Sequence, residues 1–239
     1  PDAITFTWIL RACGRIGHLE KGKQIHHDIV QRDLLRKDIA VGNALVDMYS
    51  KCGIPTKAQE VFDESPVKDT ISWNGLICGY VQHHNMEEAM KCYEKMQLEE
   101  FSPDSITFAC ILKACGNTGA AYKGQNIHAE IIKKGLSVNI DMALVDTLVD
   151  MYGNCGMLAE AQDVFDSLIN RDVVLWSALM TGYAQLGENE QAIDMVDRMI
   201  KENIQPNVVT LSALLNACSY SGLIDEAQHY LEFMRKVCN

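Results

Sequence analysis

The stretch ISWNGLICGYVQHHNMEEAMKCYEKM at 71–96 decides the fold. Trp73, Leu76, Ile77 and Tyr80 recur at i, i+3, i+4 and i+7, the spacing of one helical face. Met86, Ala89, Met90, Tyr93 and Met96 repeat that spacing for a second helix. HHN interrupts the pattern between them, and SPD after Phe101 stops it. One such hairpin cannot bury its own apolar face, but a stack of them can.

Outward from this hairpin, the chain repeats itself. ILRACGRIG at 9–17 returns as ILKACGNTG at 111–119, GKQIH at 22–26 as GQNIH at 124–128, and LVDMYSKCG at 45–53 as LVDMYGNCG at 148–156. Trp73 returns as Trp176, and Pro1-Asp2 as Pro103-Asp104 and Pro206-Asn207. The period of about 102 residues holds three hairpins. This predicts units at 3–38, 39–69, 70–104, 105–141, 142–172, 173–207 and a partial unit at 208–239, with residues 1–2 ending a preceding one. No strand pattern is present. The expected fold is an all-α solenoid of about seven helical hairpins, excerpted from a longer protein, whose exposed apolar ends favour self-association.

The composition excludes some classes. No apolar run approaches the roughly 18 residues of a membrane helix, and no targeting segment is visible. Nine cysteines occur without any C-x-x-C pair, and Cys13, Cys110, Cys115 and Cys218 lie in apolar helical contexts. They read as small buried hydrophobes in a reducing compartment rather than as disulfides or metal ligands. The sequence suggests no metal or cofactor.

The first helix of each unit carries a second stripe beside its packing face. In 70–104 it comprises Ile71, Asn74, Cys78 and Gln82. Position two of the units reads Ile4, Ala40, Ile71, Ile106, Ala143, Val174 and Val209, always small or aliphatic. Position five reads Thr7, Asn43, Asn74, Ala109, Asp146, Ser177 and Ser212, mostly short and polar. A solvated helix flank would account for the polar groups. An unbroken apolar position beside them also suits a flat base held between aliphatic side chains while its edge is read. The units end on Asp38, Asp69, Asp104, Asp141, Asp172 and Asn207, which are good helix caps.

The alternating lengths and these motifs resemble the plant pentatricopeptide repeat family, in its subclass of long, short and standard repeats. ILRACG…GKQIH is similar to the long type, NALVDMYSKCG…AQEVFDESPVKD to the short type and ISWNGLICGY…EEAMKCYEKM…SPD to the standard type. The resemblance covers the whole chain. It implies a right-handed superhelix that binds single-stranded RNA, one base per repeat. Position-two residues would sandwich bases, while position five and the last residue select them. Asn43 with Asp69 and Asn74 with Asp104 would read uracil, Ser177 with Asn207 adenine, and Thr7 with Asp38 guanine. Ala109 with Asp141 would be weak or silent, and the preference of Asp146 with Asp172 stays open. The implied target is G-U-U-N-N-A. The resemblance further implies a mitochondrial or chloroplast RNA-editing factor, partnered by accessory editing proteins and by a deaminase on another chain or further along this one.

Net charge is −11, which opposes RNA binding taken alone. The first thirteen residues of the seven units, however, hold Arg11, Arg15, Lys51 and Lys113 against Asp47, Asp146 and Asp150. The acidity therefore lies mainly on the second helices and turns. Those four cations are the candidate phosphate contacts. His128-Ala129-Glu130 matches half of a zinc deaminase signature, but the required C-x-x-C is missing and His128 repeats His26. The tract is therefore expected to be non-catalytic. The rival reading is a protein-binding scaffold of the tetratricopeptide kind, which the acidity favours.

Overall fold

The computed structural model describes residues 2–136, 141–224, 227–228 and 230–232. Pro1, residues 137–140 of the expected fourth unit and most of 225–239 in the last lie outside the described residues. Among the described residues the secondary structure is helical throughout, with no strand. The chain divides into two compact units, Pro1–Ala114 and Cys115–Asn239. The first holds α1 (Ala3–Ile16), α2 (Leu19–Gln31), α3 (Ile39–Lys51), α4 (Pro55–Glu64), α5 (Thr70–Gln82), α6 (Met86–Leu98) and the start of α7 (Ser105–Thr118). The second holds α8 (Ala121–Lys133), α9 (Met142–Asn154), α10 (Leu158–Asp166), α11 (Val173–Gln185), α12 (Asn189–Lys201) and α13 (Val208–Ser221). No described helix is long and apolar enough to cross a membrane.

Within each unit, odd-numbered helices pack on one another in sequence: α1 on α3 and α3 on α5, then α9 on α11 and α11 on α13. The helices α2, α4, α6, α10 and α12 pack against their hairpin partners. The HHN break at 83–85 becomes the α5–α6 turn, with His84 in the left-handed region at φ 58°. Gly53 occupies the same region at the α3–α4 turn, where φ is 85° and a side chain would be strained.

The repetition in the sequence reappears as repeated packing. Trp73 and Trp176 are wholly buried, and each meets a phenylalanine edge-on, Phe62 at 4.5 Å and Phe165 at 4.7 Å. The two LVDMY copies are mostly core, with Leu45, Val46, Met48 and Tyr49 matching Leu148, Val149, Met151 and Tyr152. Met48 Sδ fills the space a Cβ on Gly22 would need, and Met151 Sδ does the same at Gly124. The phenol of Tyr49 lies 2.9 Å from His26 Nδ1, and that of Tyr152 lies 2.8 Å from His128 Nδ1. In the second unit α9 and α11 come so close that a Cβ on Gly153 would sit 3.3 Å from Gly182 Cα.

One expectation is corrected. Cys110 is not a free buried thiol, because it is disulfide-bonded to Cys78, with Cα atoms 5.5 Å apart. The packing of α5 beside α7 brings together residues 32 apart in sequence, which helical spacing along either one cannot reveal. Cys13, Cys115 and Cys218 are buried and not disulfide-bonded, as expected.

Candidate nucleic-acid interface

The odd-numbered helices place their second residues at the surface. Ile4, Ile71, Ile106, Val174 and Val209 are 50–67% exposed, and Ala40 and Ala143 are exposed as well. Aliphatic side chains this open, at the same position of every odd-numbered helix, contribute little to the core. Position five lies one turn further along and is more enclosed, with Asn74 and Ser177 buried and Asn43 half-buried.

Asn74 closes a three-residue network. Its amide donates to the two Asp104 carboxylate oxygens at 2.9 and 3.0 Å. The Thr107 hydroxyl lies 2.5 Å from Asn74 Oδ1, and the Thr107 backbone N–H donates to Asp104 Oδ1 at 2.9 Å. Asn43, Asp69 and Ser72 reproduce it: the amide donates to Asp69 at 3.2 Å, the Ser72 hydroxyl donates to Asn43 Oδ1 at 2.6 Å, and Ser72 N–H donates to Asp69 at 2.8 Å. Ser177 lies 2.9 Å from the Thr210 hydroxyl and 3.5 Å from Asn207 Oδ1, while its own hydroxyl also reaches Val173 O at 2.7 Å. Capping and pairing are thus made by the same atoms. Sequence reasoning missed the third member. Its signal was present, because Ser or Thr stands three residues after Asp69, Asp104 and Asn207, the spacing of a reciprocal helix cap.

Among the described residues the other expected pairs show no hydrogen bond between their members. The Thr7 hydroxyl donates to Ile4 O at 2.7 Å, and Asp38 accepts from Ala40 N–H, so the two are not joined. Val41 stands where Ser72 or Thr107 would close the network. Ser212 likewise donates to its own helix, at Val208 O. Ala109 is half-buried, and Asp141 heads α9 with no side-chain cap bond. Asp146 has Oδ1 buried with no hydrogen-bond partner among the described residues. Asp172 caps Val174 and Leu175 at 3.0 Å each. Burial first, then the neighbouring carboxylates of Asp172 and Asp150, push the Asp146 carboxyl up to about 6.

The candidate phosphate contacts are unequal. Arg15 and Lys113 are exposed. Arg11 is exposed too, with its guanidinium 5.7 Å from the Trp8 ring centre. Lys51 is paired with Asp47 at 2.8 Å, an i, i+4 ion pair within α3. Two cations that sequence reasoning missed, Arg36 and Lys37, share a cavity with a reader. A cavity of about 220 Å³ beside Asn43 is lined by Leu35, Arg36, Lys37 and Pro66 among others. No group of metal-ligating side chains occurs among the described residues.

A profile of the PPR repeat family matches residues 68–117 and 171–220, and the single PPR repeat matches 43–68, 145–173 and 209–237. This chain belongs to the PPR repeat family. Over 99% of its length it is 38% identical to a mitochondrial pentatricopeptide repeat-containing protein of Arabidopsis thaliana, of which it spans 28%. It is 34% identical over 98% of its length to the chloroplastic pentatricopeptide repeat-containing protein CRR2 of the same plant, of which it spans 36%. The pentatricopeptide repeat protein PPR10 in complex with an 18-nt psaJ RNA element has the same fold, with a TM-score of 0.76 at 18% identity over 97% of this chain and 34% of that one. PPR10 from maize gives 0.74 at 16% identity, over 99% and 34%. In this PPR chain the His of H-A-E is a packing residue, since burial lowers the His128 pKa and its partner is Tyr152, as Tyr49 is for His26.

Proposed function

We propose that this chain binds single-stranded RNA in a sequence-specific way, one base per repeat, with units at 3–38, 39–69, 70–104, 105–141, 142–172, 173–207 and 208–239. The reading rests on one observation above all. Exposed aliphatic side chains at position two flank enclosed amides at position five, and the last residue of the unit holds those amides in place. Flat apolar walls give stacking-like contact to any base, and a fixed polar group between them discriminates the edge. PPR10, which shares the fold, binds an RNA element. Asn43 with Asp69 and Asn74 with Asp104 are the uracil readers, and Ser177 with Asn207 reads adenine. Thr7 with Asp38 reads guanine. Alternating repeat lengths support an editing-factor role, with the deaminase on another chain or further along this one, and organellar relatives support a mitochondrial or chloroplast setting.

Selection from a random single-stranded RNA pool, at low and near-physiological salt, tests this. Adjacent uracils with an adenine three positions after the second are expected. Retained RNA without an enriched motif would leave electrostatic attraction alone and remove the reader assignments. No retained RNA at low salt would favour the protein-binding scaffold, the reading that net charge −11 supports.

A further inference from the structure

The cysteine pair on α5 and α7 lies where the reader works. Asn74 and Cys78 are one turn apart on α5, and their partners Thr107 and Cys110 are one turn apart on α7. The hydrogen bonds of the reader and the covalent bond therefore fasten the same seam. The walls of the base site, Ile71 and Ile106, sit on those two helices and are both exposed. Both bonded cysteines are only half-buried. The other described cysteines are not disulfide-bonded, and Cys92 and Cys115 are buried thiols pushed up to about 12 and about 11 by desolvation. No other seam among the described residues carries cysteine at both positions. Asp47 faces the same step on α3, where α5 offers Gly75, and Thr181 on α11, where α13 offers Ala213.

We propose that Cys78 and Cys110 form a reversible thiol–disulfide site that sets RNA affinity at the third base of the target, a role that rests on the RNA-binding reading above. The crosslinked seam keeps the same amide–carboxylate–hydroxyl network as the uncrosslinked seam of Asn43, Asp69 and Ser72. The bond therefore leaves the reader geometry undistorted, and its effect is to restrain how far Ile71 and Ile106 wander apart. A site restrained in its binding geometry loses less freedom when a base enters. The oxidised form is the tighter binder. Reduction uses a dithiol. Its thiolate attacks one sulfur, the S–S bond breaks, and a mixed disulfide forms, which the second thiolate of the reductant resolves. Two electrons and two protons end on Cys78 and Cys110, and the reductant leaves as its disulfide.

The test combines thiol mapping with RNA binding. Unreduced chain is alkylated with iodoacetamide and its peptides are weighed, which reads the Cys78–Cys110 link without reference to RNA. Affinity for a short RNA carrying G-U-U-U-U-A is then measured with oxidised chain, with dithiothreitol-treated chain and with Cys110→Ser. Oxidised chain is expected to bind about tenfold tighter than reduced chain. Cys110→Ser should match the reduced chain under both conditions, and an abasic third position should erase the difference. Alkylation of both thiols in unreduced chain overturns the proposal, as does equal or tighter binding by the reduced form. Absence of RNA binding in every state rejects the RNA-binding reading and this regulatory role with it, and the mapped link then reports on the disulfide alone.

Discussion

Replacing Asp146 by Asn should stabilise the protein, and the gain should depend on pH. The fold raises this carboxyl from the ordinary 3.8 to about 6, because its Oδ1 is buried and Asp172 and Asp150 lie near. Roughly two pKa units correspond to about 3 kcal/mol at 1.36 kcal/mol per unit. The side chain is only half-buried, so solvent screening reduces this to about 1–2 kcal/mol. The sign follows from linkage. The folded state binds the proton more tightly than the unfolded chain, so the ionised carboxylate destabilises the fold. The penalty is fully present above about 6, falls to about half by pH 5 and vanishes below 3.8. Asn has nearly the same shape and no charge. Asp146→Asn should therefore raise the thermal midpoint by about 3–6 °C at pH 7.5, followed by far-ultraviolet circular dichroism, and by about half as much at pH 5. The His26 and His128 pKa values are lowered by burial, so protonation destabilises wild type and variant alike and cancels in the difference. An unchanged midpoint at pH 7.5, or one gain at both pH values, would refute the reasoning.

Trp73→Ala removes a wholly buried indole and its contact with Phe62, so urea unfolding should show a loss of about 3–5 kcal/mol. Gly153→Ala drives a methyl against the Gly182 backbone at 3.3 Å, and denaturant titration should register about 1–3 kcal/mol of destabilisation. Asn74→Thr should move the selected third base from uracil towards guanine with helicity intact, and an unchanged base preference would mean the reader register is wrong. Arg36→Ala with Lys37→Ala should weaken RNA binding on every sequence alike and flatten its salt dependence by about 1.4 in slope, which binding isotherms at several salt concentrations would resolve.

The helices were legible because their cause is local. Trp73, Leu76, Ile77 and Tyr80 announce a buried face by spacing alone, and the structure buries all four. The aliphatic stripe was legible because an apolar position recurring outside the core pattern is costly to keep in water. What depended on register between helices was not legible. Cys78 meets Cys110 only because α5 packs beside α7. The bond from Thr7 to its own helix depends on the local turn, because a threonine within a helix can reach a preceding carbonyl, here that of Ile4. The Lys51 pairing with Asp47 could have been anticipated from the i, i+4 spacing. The His26–Tyr49 contact could also have been anticipated, since the same two residue types recur at His128 and Tyr152.

Asn43 and Asn74 each hold the residue that starts the next odd-numbered helix. The group that would face a base is therefore also a structural tie between consecutive hairpins. Re-coding such an array is not a matter of exchanging letters independently. A new side chain at position five changes how firmly the following hairpin is anchored, and the hydroxyl three residues beyond the cap belongs to the same tie. Arrays built for new targets would gain by choosing these three residues together, with Ser or Thr after every reader that must stay rigid. A bound strand, in turn, would bear on the joints between hairpins as well as on their surfaces, so each base read would stiffen the site awaiting the next.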